Sequence, residues 1–213
     1  MSAHRPDPRF VVLVPVKPPA VGKSRLLGLD AAVRRSLAEA FAQDTVAACL
    51  AAGSVARVLA VTDDARFSSM LAAIGAESIP DGVTDDLNGA LRLAAAEAHR
   101  RWPELTPVAL CADLPCLRAD DLDAALARFV PSQPAFVPDA AGTGTTLYVA
   151  DIDLFDPRFG PGSRDAHIDA GADELADVPA SVRRDVDDLD DLRAAVTLGI
   201  GPHTAAVVPP END

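Results

Sequence analysis

Apolar residues run almost unbroken through "RFVVLVPV" at 9–16 and from Asp30 onward fall into a helical repeat, with Val33, Leu37, Phe41, Val46, Cys49 and Leu50 on one face. A continuous β-branched run suits a strand buried on both faces, and the second pattern suits a helix that Gly53 ends. The alternation then recurs. "ARVLAVT" (56–62) reads as a strand, "DDARFSSMLAAIG" (63–75) as a helix with an acidic start and a glycine stop, and 85–102 as a helix. "PVALCAD" (107–113) reads as a strand and 119–130 as a helix. Strands taking turns with helices predict an α/β fold, a mostly parallel central sheet with helices on both faces in three layers.

After Pro131 the texture changes. "PAFVPDAAGTGTTLYVA" gives two short extended segments around a glycine-rich turn, and "FGPGSRDAHIDAG" gives a loop running into a helix. Both read as insertions supplying one wall of a pocket. "DVDDLDDLRAAVTLG" (185–199) is the acidic start of a last helix, and residues 1–8 and 200–213 are expected to be flexible ends. No shift in composition marks a second domain, and 213 residues at 49% hydrophobic suffice for one core, so a single domain over 9–199 is expected.

Charge narrows the function. A net charge of −13 argues against nucleic-acid or acidic-membrane binding, so an anionic substrate must enter a locally positive pocket. Cys49, Cys111 and Cys116 lack metal-ligand spacing and read as reduced, mostly buried thiols. No early apolar stretch has the form of a signal peptide, and no run approaches the roughly 20 residues needed to span a bilayer. A cytoplasmic protein is expected.

In open α/β sheets ligands bind beyond the carboxyl ends of the strands, which directs attention to the post-strand loops. The first, "VPVKPPAVGKSRL", ends in Gly22-Lys23-Ser24 like a nucleotide-triphosphate loop, but that motif needs a glycine where Lys17 stands. Lys17 and Lys23 are the only lysines, and arginine supplies the other seventeen cations. Two compact charges with Arg25 in one loop point to a polyphosphate site held by side-chain charge; a solvated loop is the plain alternative.

Asp113, at the end of a buried strand in "LCADLPCL", can hold Mg2+ against phosphates or merely cap the next turn. Among the acids of "RRDVDDLDDL", Asp185 is best placed to reach inward, while Asp187, Asp188, Asp190 and Asp191 suit a helix start. Together Asp113 and Asp185 would complete a metal site for phosphoryl chemistry. Glycines around Thr145 let a ligand approach the backbone, and Gly160, Gly162 and Ser163 precede a helix where an anion is favoured. Asn88 can hydrogen-bond a base or ribose, or only cap its helix. His99 and His167 read as surface residues.

In order, the post-strand lysine loop, "LNGAL", "DLPCL", "GTGTTL", "FGPGS" and "DVDDLDDL" resemble the guanylyltransferases of coenzyme F(420) biosynthesis, a branch of the MobA-like nucleotidyltransferases, from about Phe10 to Leu198. The resemblance implies a Rossmann-like nucleotidyltransferase (GT-A-like) fold and transfer of GMP from GTP to a phosphorylated three-carbon acid. The acid is phosphoenolpyruvate in bacterial relatives and 2-phospho-L-lactate in archaeal ones, and an Ala- and Arg-rich, lysine-poor composition favours the former.

The resemblance further implies Asp113 and Asp185 as Mg2+ ligands, and Thr145, Gly160 and Ser163 at the acceptor acid. Lys17, Lys23 and Arg25 fall at the triphosphate, with Lys23 assisting departure of pyrophosphate, and Asn88 falls near the nucleoside. A downstream transferase would take the product. Where relatives often carry Thr-Pro-Glu-Asp after "DVD", this chain has Asp188-Leu189-Asp190-Asp191. A nucleotide-binding protein without transfer activity and a cytidylyl- or molybdenum-cofactor-type transferase are the competing readings.

Overall fold

The unbroken apolar run forms the middle of the sheet. In a computed structural model, which describes residues 9–16, 30–83 and 85–208, β1 (Phe10–Pro15) pairs in parallel with β2 (Val55–Val61) on one side and β4 (Thr106–Leu110) on the other. β3 (Glu77–Ile79) continues the parallel set beyond β2. Past β4 lies β6 (Thr145–Val149), antiparallel both to β4 and to β5 (Ala135–Pro138), and β7 (Asp173–Glu174) pairs in parallel with β5. The order is β3-β2-β1-β4-β6-β5-β7, and β6 alone runs against the rest.

Side chains of successive strand residues leave opposite faces, so each strand feeds two cores. Val12, Val14, Val58, Ala60, Val108 and Leu110 meet α1 (Ala31–Ala51), α2 (Ala65–Ala72) and α4 (Ala119–Leu126) on one face. Val11, Leu13, Leu59, Val61 and Ala109 meet the small residues of α3 (Leu87–Arg101) on the other. The three-layer α/β expectation holds.

Acids start the helices. Asp30 accepts from the Val33 N–H, Asp64 from Arg66 and Phe67, and Asp188 from Asp190 and Asp191 at the head of α7 (Leu189–Leu198), each satisfying donors that a helix start leaves open. Burial pushes the Cys49 thiol up, and the Cys116 thiol up to about 11, which keeps both protonated. Among the described residues no helix is long and apolar enough to cross a membrane.

Two expectations are corrected. The segment after Pro131 is not an insertion beside the sheet, because β5, β6 and β7 complete it. The stretch from 200 is not loose as far as Val208: α8 (Pro202–Ala205) docks on α1, where the buried Asp44 accepts from the N–H groups of His203 (3.0 Å) and Thr204 (2.8 Å). Gly201 donates to the Pro115 carbonyl at 2.8 Å, and a Cβ there would meet the Asp44 carboxyl group and displace it from these two amides. Residues 1–8 and 209–213 lie outside the described residues.

Asp44→Ala removes the acceptor of two amides and should lower stability by about 1–3 kcal/mol. Urea unfolding measures the loss, and hydrogen exchange should quicken at His203 and Thr204. An unchanged unfolding midpoint with unchanged exchange would show that the carboxylate does not hold α8.

Candidate active site

At the end of β4 the chain turns sharply, and a buried side chain from α1 holds the turn. Thr45 Oγ1 donates to the Ala112 carbonyl (3.2 Å) and accepts from the Leu114 N–H (3.1 Å), which fixes Asp113 between them. The Asp113 carbonyl accepts from the Val186 N–H at 3.1 Å, so the segment carrying Asp185 lies alongside. Arg183, closing the short α6 (Ala180–Arg183), donates to the carbonyls of Pro138 (3.1 Å) and Asp139 (2.9 Å) and ties the same segment to the β5–β6 turn.

Because β6 is reversed, its first residue sits at this edge. The Cys111 N–H donates to the Thr146 carbonyl at 2.9 Å, which brings Thr145 beside the turn that carries Asp113. The result is a cleft of about 540 Å³ lined by the expected Asp113, Asp185, Thr145, Gly160 and Ser163. Lys17, Lys23 and Arg25 lie outside the described residues.

Sequence reasoning missed Asp139, which also lines the cleft. Its carboxylate accepts from the N–H groups of Thr143 (2.9 Å) and Gly144 (2.8 Å), and a Cβ on Gly144 would stand 2.3 Å from it. An Asp followed by glycine five residues on is the available signal for such a turn. Asp187, grouped earlier with the helix-start acids, also lines the cleft. Four carboxylates therefore share one region, and burial first, then Asp113, Asp187 and Asp139, push the Asp185 carboxyl up to about 7.

A divalent cation fits this donor set. Among the described residues no group of three or more His, Cys, Asp or Glu is placed to hold a metal unaided. Asp113 and Asp185 offer hard oxygen donors, the kind a divalent cation takes, and a bound cation would relieve their mutual repulsion.

Two side chains make contacts the sequence did not announce. Asn88, expected near the nucleoside, grips the Phe159 backbone, its Nδ2 donating to the carbonyl (2.9 Å) and its Oδ1 accepting from the N–H (2.8 Å). His167, read as a surface residue, is fully buried. It lies on α5 (Ser163–Asp169), with its ring stacked between Phe136 and Tyr148 and its Nδ1 3.0 Å from Thr145 Oγ1. The polar run "SRDAHIDAG" carries no apolar repeat that would announce this. Gly162, in the left-handed region at φ 71°, turns the loop into α5.

No protein-family model matches the chain. Among solved structures, a nucleotidyl transferase from Methanothermobacter is 18% identical, with 91% of this chain and 98% of that one covered and a TM-score of 0.59. A manganese complex of Rv0371c from Mycobacterium tuberculosis is 18% identical, with 90% and 100% covered and a TM-score of 0.53. The fold is thus that of the nucleotidyltransferases. Closer in sequence, the phosphoenolpyruvate guanylyltransferase of Streptomyces scabiei is 50% identical over 206 residues, 93% of this chain and 95% of the relative. That of Thermomonospora curvata is 45% identical over 208 residues, 97% of this chain and 91% of the relative. The chain belongs to the phosphoenolpyruvate guanylyltransferase family.

The Asp185 carboxyl has a pH signature. Raised from 3.8 to about 7 in the folded chain, it holds its proton more tightly there than when unfolded, so its stabilising contribution is full below pH 3.8 and is lost as pH rises to about 7. Asp185→Asn, lacking that titration, should gain stability relative to the parent between these pH values in metal-free buffer. Thermal unfolding across the range measures it, and parallel profiles for the two proteins would contradict the assignment.

Proposed function

We propose that this protein transfers GMP from GTP to phosphoenolpyruvate, forming enolpyruvyl-diphospho-5'-guanosine and pyrophosphate, as a cytoplasmic step of coenzyme F(420) biosynthesis whose product passes to a downstream transferase. One observation carries the reading: in a chain 50% identical over 206 residues to a relative named for this activity, a single cleft sets the acid pair Asp113 and Asp185 against Thr145 and the 160–163 loop.

A phosphate oxygen of the acceptor, ionised at neutral pH, attacks the α-phosphorus of GTP. The new P–O bond forms as the bond to the oxygen bridging the α- and β-phosphorus breaks, and pyrophosphate leaves with that electron pair. The nucleophile has no proton to lose, so the step needs no base. Catalysis then rests on position and charge.

Asp113 and Asp185 would hold Mg2+, which when bound neutralises charge on the reacting phosphates. Thr145 and the 160–163 loop receive the acceptor, and Asn88 holds that loop through Phe159. Lys17, Lys23 and Arg25 are read as the cationic partners of the triphosphate, with Lys23 at the departing pyrophosphate. In a chain of net charge −13 such local cations offset the repulsion an anionic substrate meets.

Pyrophosphate release from each nucleotide, with phosphoenolpyruvate and 2-phospho-L-lactate offered separately, tests the reading. The expected pair is GTP with phosphoenolpyruvate. The two acids differ by a planar methylene against a tetrahedral methyl-bearing carbon, a difference of shape worth about 1–3 kcal/mol, so preference and not exclusion is expected. A larger kcat/KM for 2-phospho-L-lactate overturns the acceptor, preference for CTP overturns the base, and release with neither acid overturns the function. Asp113→Asn should lower kcat by roughly 10²-fold or more with the fold intact, and near-normal turnover at saturating Mg2+ would remove the acid from the metal site.

A further inference from the structure

The most enclosed ionisable ring among the described residues has no part in the bond changes just described. His167 is fully buried, its ring held 5.1 Å from Phe136 and 4.9 Å from Tyr148 (centroid to centroid) at interplanar angles of 22° and 23°, with Phe159 meeting it edge-on at 5.8 Å. The aromatic rings set the plane of the imidazole, and hydrogen bonds at both nitrogens set which way round it lies.

The backbone N–H of Arg158 lies 2.9 Å from Nε2, and an amide N–H can only donate, so Nε2 presents its lone pair. The neutral ring therefore carries its proton on Nδ1. Burial presses the His167 pKa down to about 4, which keeps the ring neutral at physiological pH. Nδ1–H then points to Thr145 Oγ1 at 3.0 Å, with the Ser163 backbone carbonyl as a second acceptor, and a protonated Nδ1 cannot accept the threonine proton. A threonine hydroxyl that accepts one hydrogen bond keeps its own proton to give, and Thr145 Oγ1 has no other hydrogen-bond partner among the described residues. Thr145 lines the cleft.

We propose that His167 is a positioning residue: it fixes the polarity of the Thr145 hydroxyl as a donor aimed into the cleft, toward an anionic oxygen of the acceptor, and pins the adjacent loop through Arg158. The proposal rests on the acceptor placement given above. The opposite tautomer would leave Thr145 donating back to the ring and turning lone pairs toward an anion. The loop tie acts in the same direction. Arg158 held by His167 and Phe159 held by Asn88 are consecutive residues, immediately before Gly160, so the acceptor wall is fixed on both its strand side and its loop side.

His167→Phe keeps an aromatic ring in the stack and removes both nitrogens. It should raise the KM for phosphoenolpyruvate about tenfold or more while the KM for GTP stays within about twofold. His167→Asn, whose amide N–H can stand in for Nδ1–H, should recover part of that loss. In a Thr145→Val background, His167→Phe should cost less than it does alone. An unchanged acceptor KM, or an equal rise for both substrates, overturns the proposal.

Should His167→Phe not fold, the parent protein supplies the test through long-range 1H–15N NMR of the imidazole. The neutral Nδ1–H form is expected throughout about pH 6 to 8, and an Nε2–H form or an imidazolium overturns the proposal. A parent protein inactive with every phosphorylated acid, yet showing the Nδ1–H form, would instead refute the proposed reaction.

Discussion

One reversed strand makes the site. In the parallel part of the sheet every strand delivers its last residue to the same edge and its first residue to the far one, so a strand's start contributes nothing there. β6 runs the other way, pairing Leu147 with Leu110, and its opening residue Thr145 arrives beside the turn that carries Asp113. An acid from a strand's end and a hydroxyl from a strand's beginning thus share one edge. The Thr45 and Val186 bonds then hold the β4 turn to α1 and to the segment of Asp185, and Arg183 ties that segment to the β5–β6 turn.

The same geometry crowds charge. In a chain already net negative, backbone hydrogen bonds hold acids together that would separate if free, and Asp185, more than half-buried, carries the resulting penalty. The acids are not equivalent. Asp139 accepts from the amides of its own turn and Asp188 caps α7, while the backbone beside Asp113 holds the segment of Asp185 through Val186. A carboxyl whose proton affinity is raised by burial and by neighbouring acids at a cleft marks a candidate functional site.

The layers were legible because periodicity reports burial: 9–16 reads as a two-faced strand and Asp30 onward as a one-faced helix, as β1 and α1 are. Strand direction is not written in periodicity, so β5 and β6 read as extended segments of an insertion, without the reversal of β6. The two-residue β7 and the four-residue α8 are too short for any repeat, and their positions come from partners distant in sequence, Asp44 for α8 among them. Of the site, Asp113, Asp185, Thr145, Gly160 and Ser163 were reachable because each ends a run or sits among glycines. The Asn88 grip on Phe159 and the burial of His167 were not legible for one reason: their partners are groups whose proximity only the folded chain creates.

The aromatic sandwich around His167 has a bearing on how such an enzyme can diverge. Phe136 and Tyr148 belong to the interior, and a change in either would ordinarily be judged by what it does to packing. Here their planes set the tilt of an imidazole, and that tilt sets where a hydroxyl proton points. Discrimination between acids of similar charge can therefore drift through conservative exchanges in the core, with every residue that meets the ligand left in place, so relatives that share an identical cleft lining need not share a preferred acid.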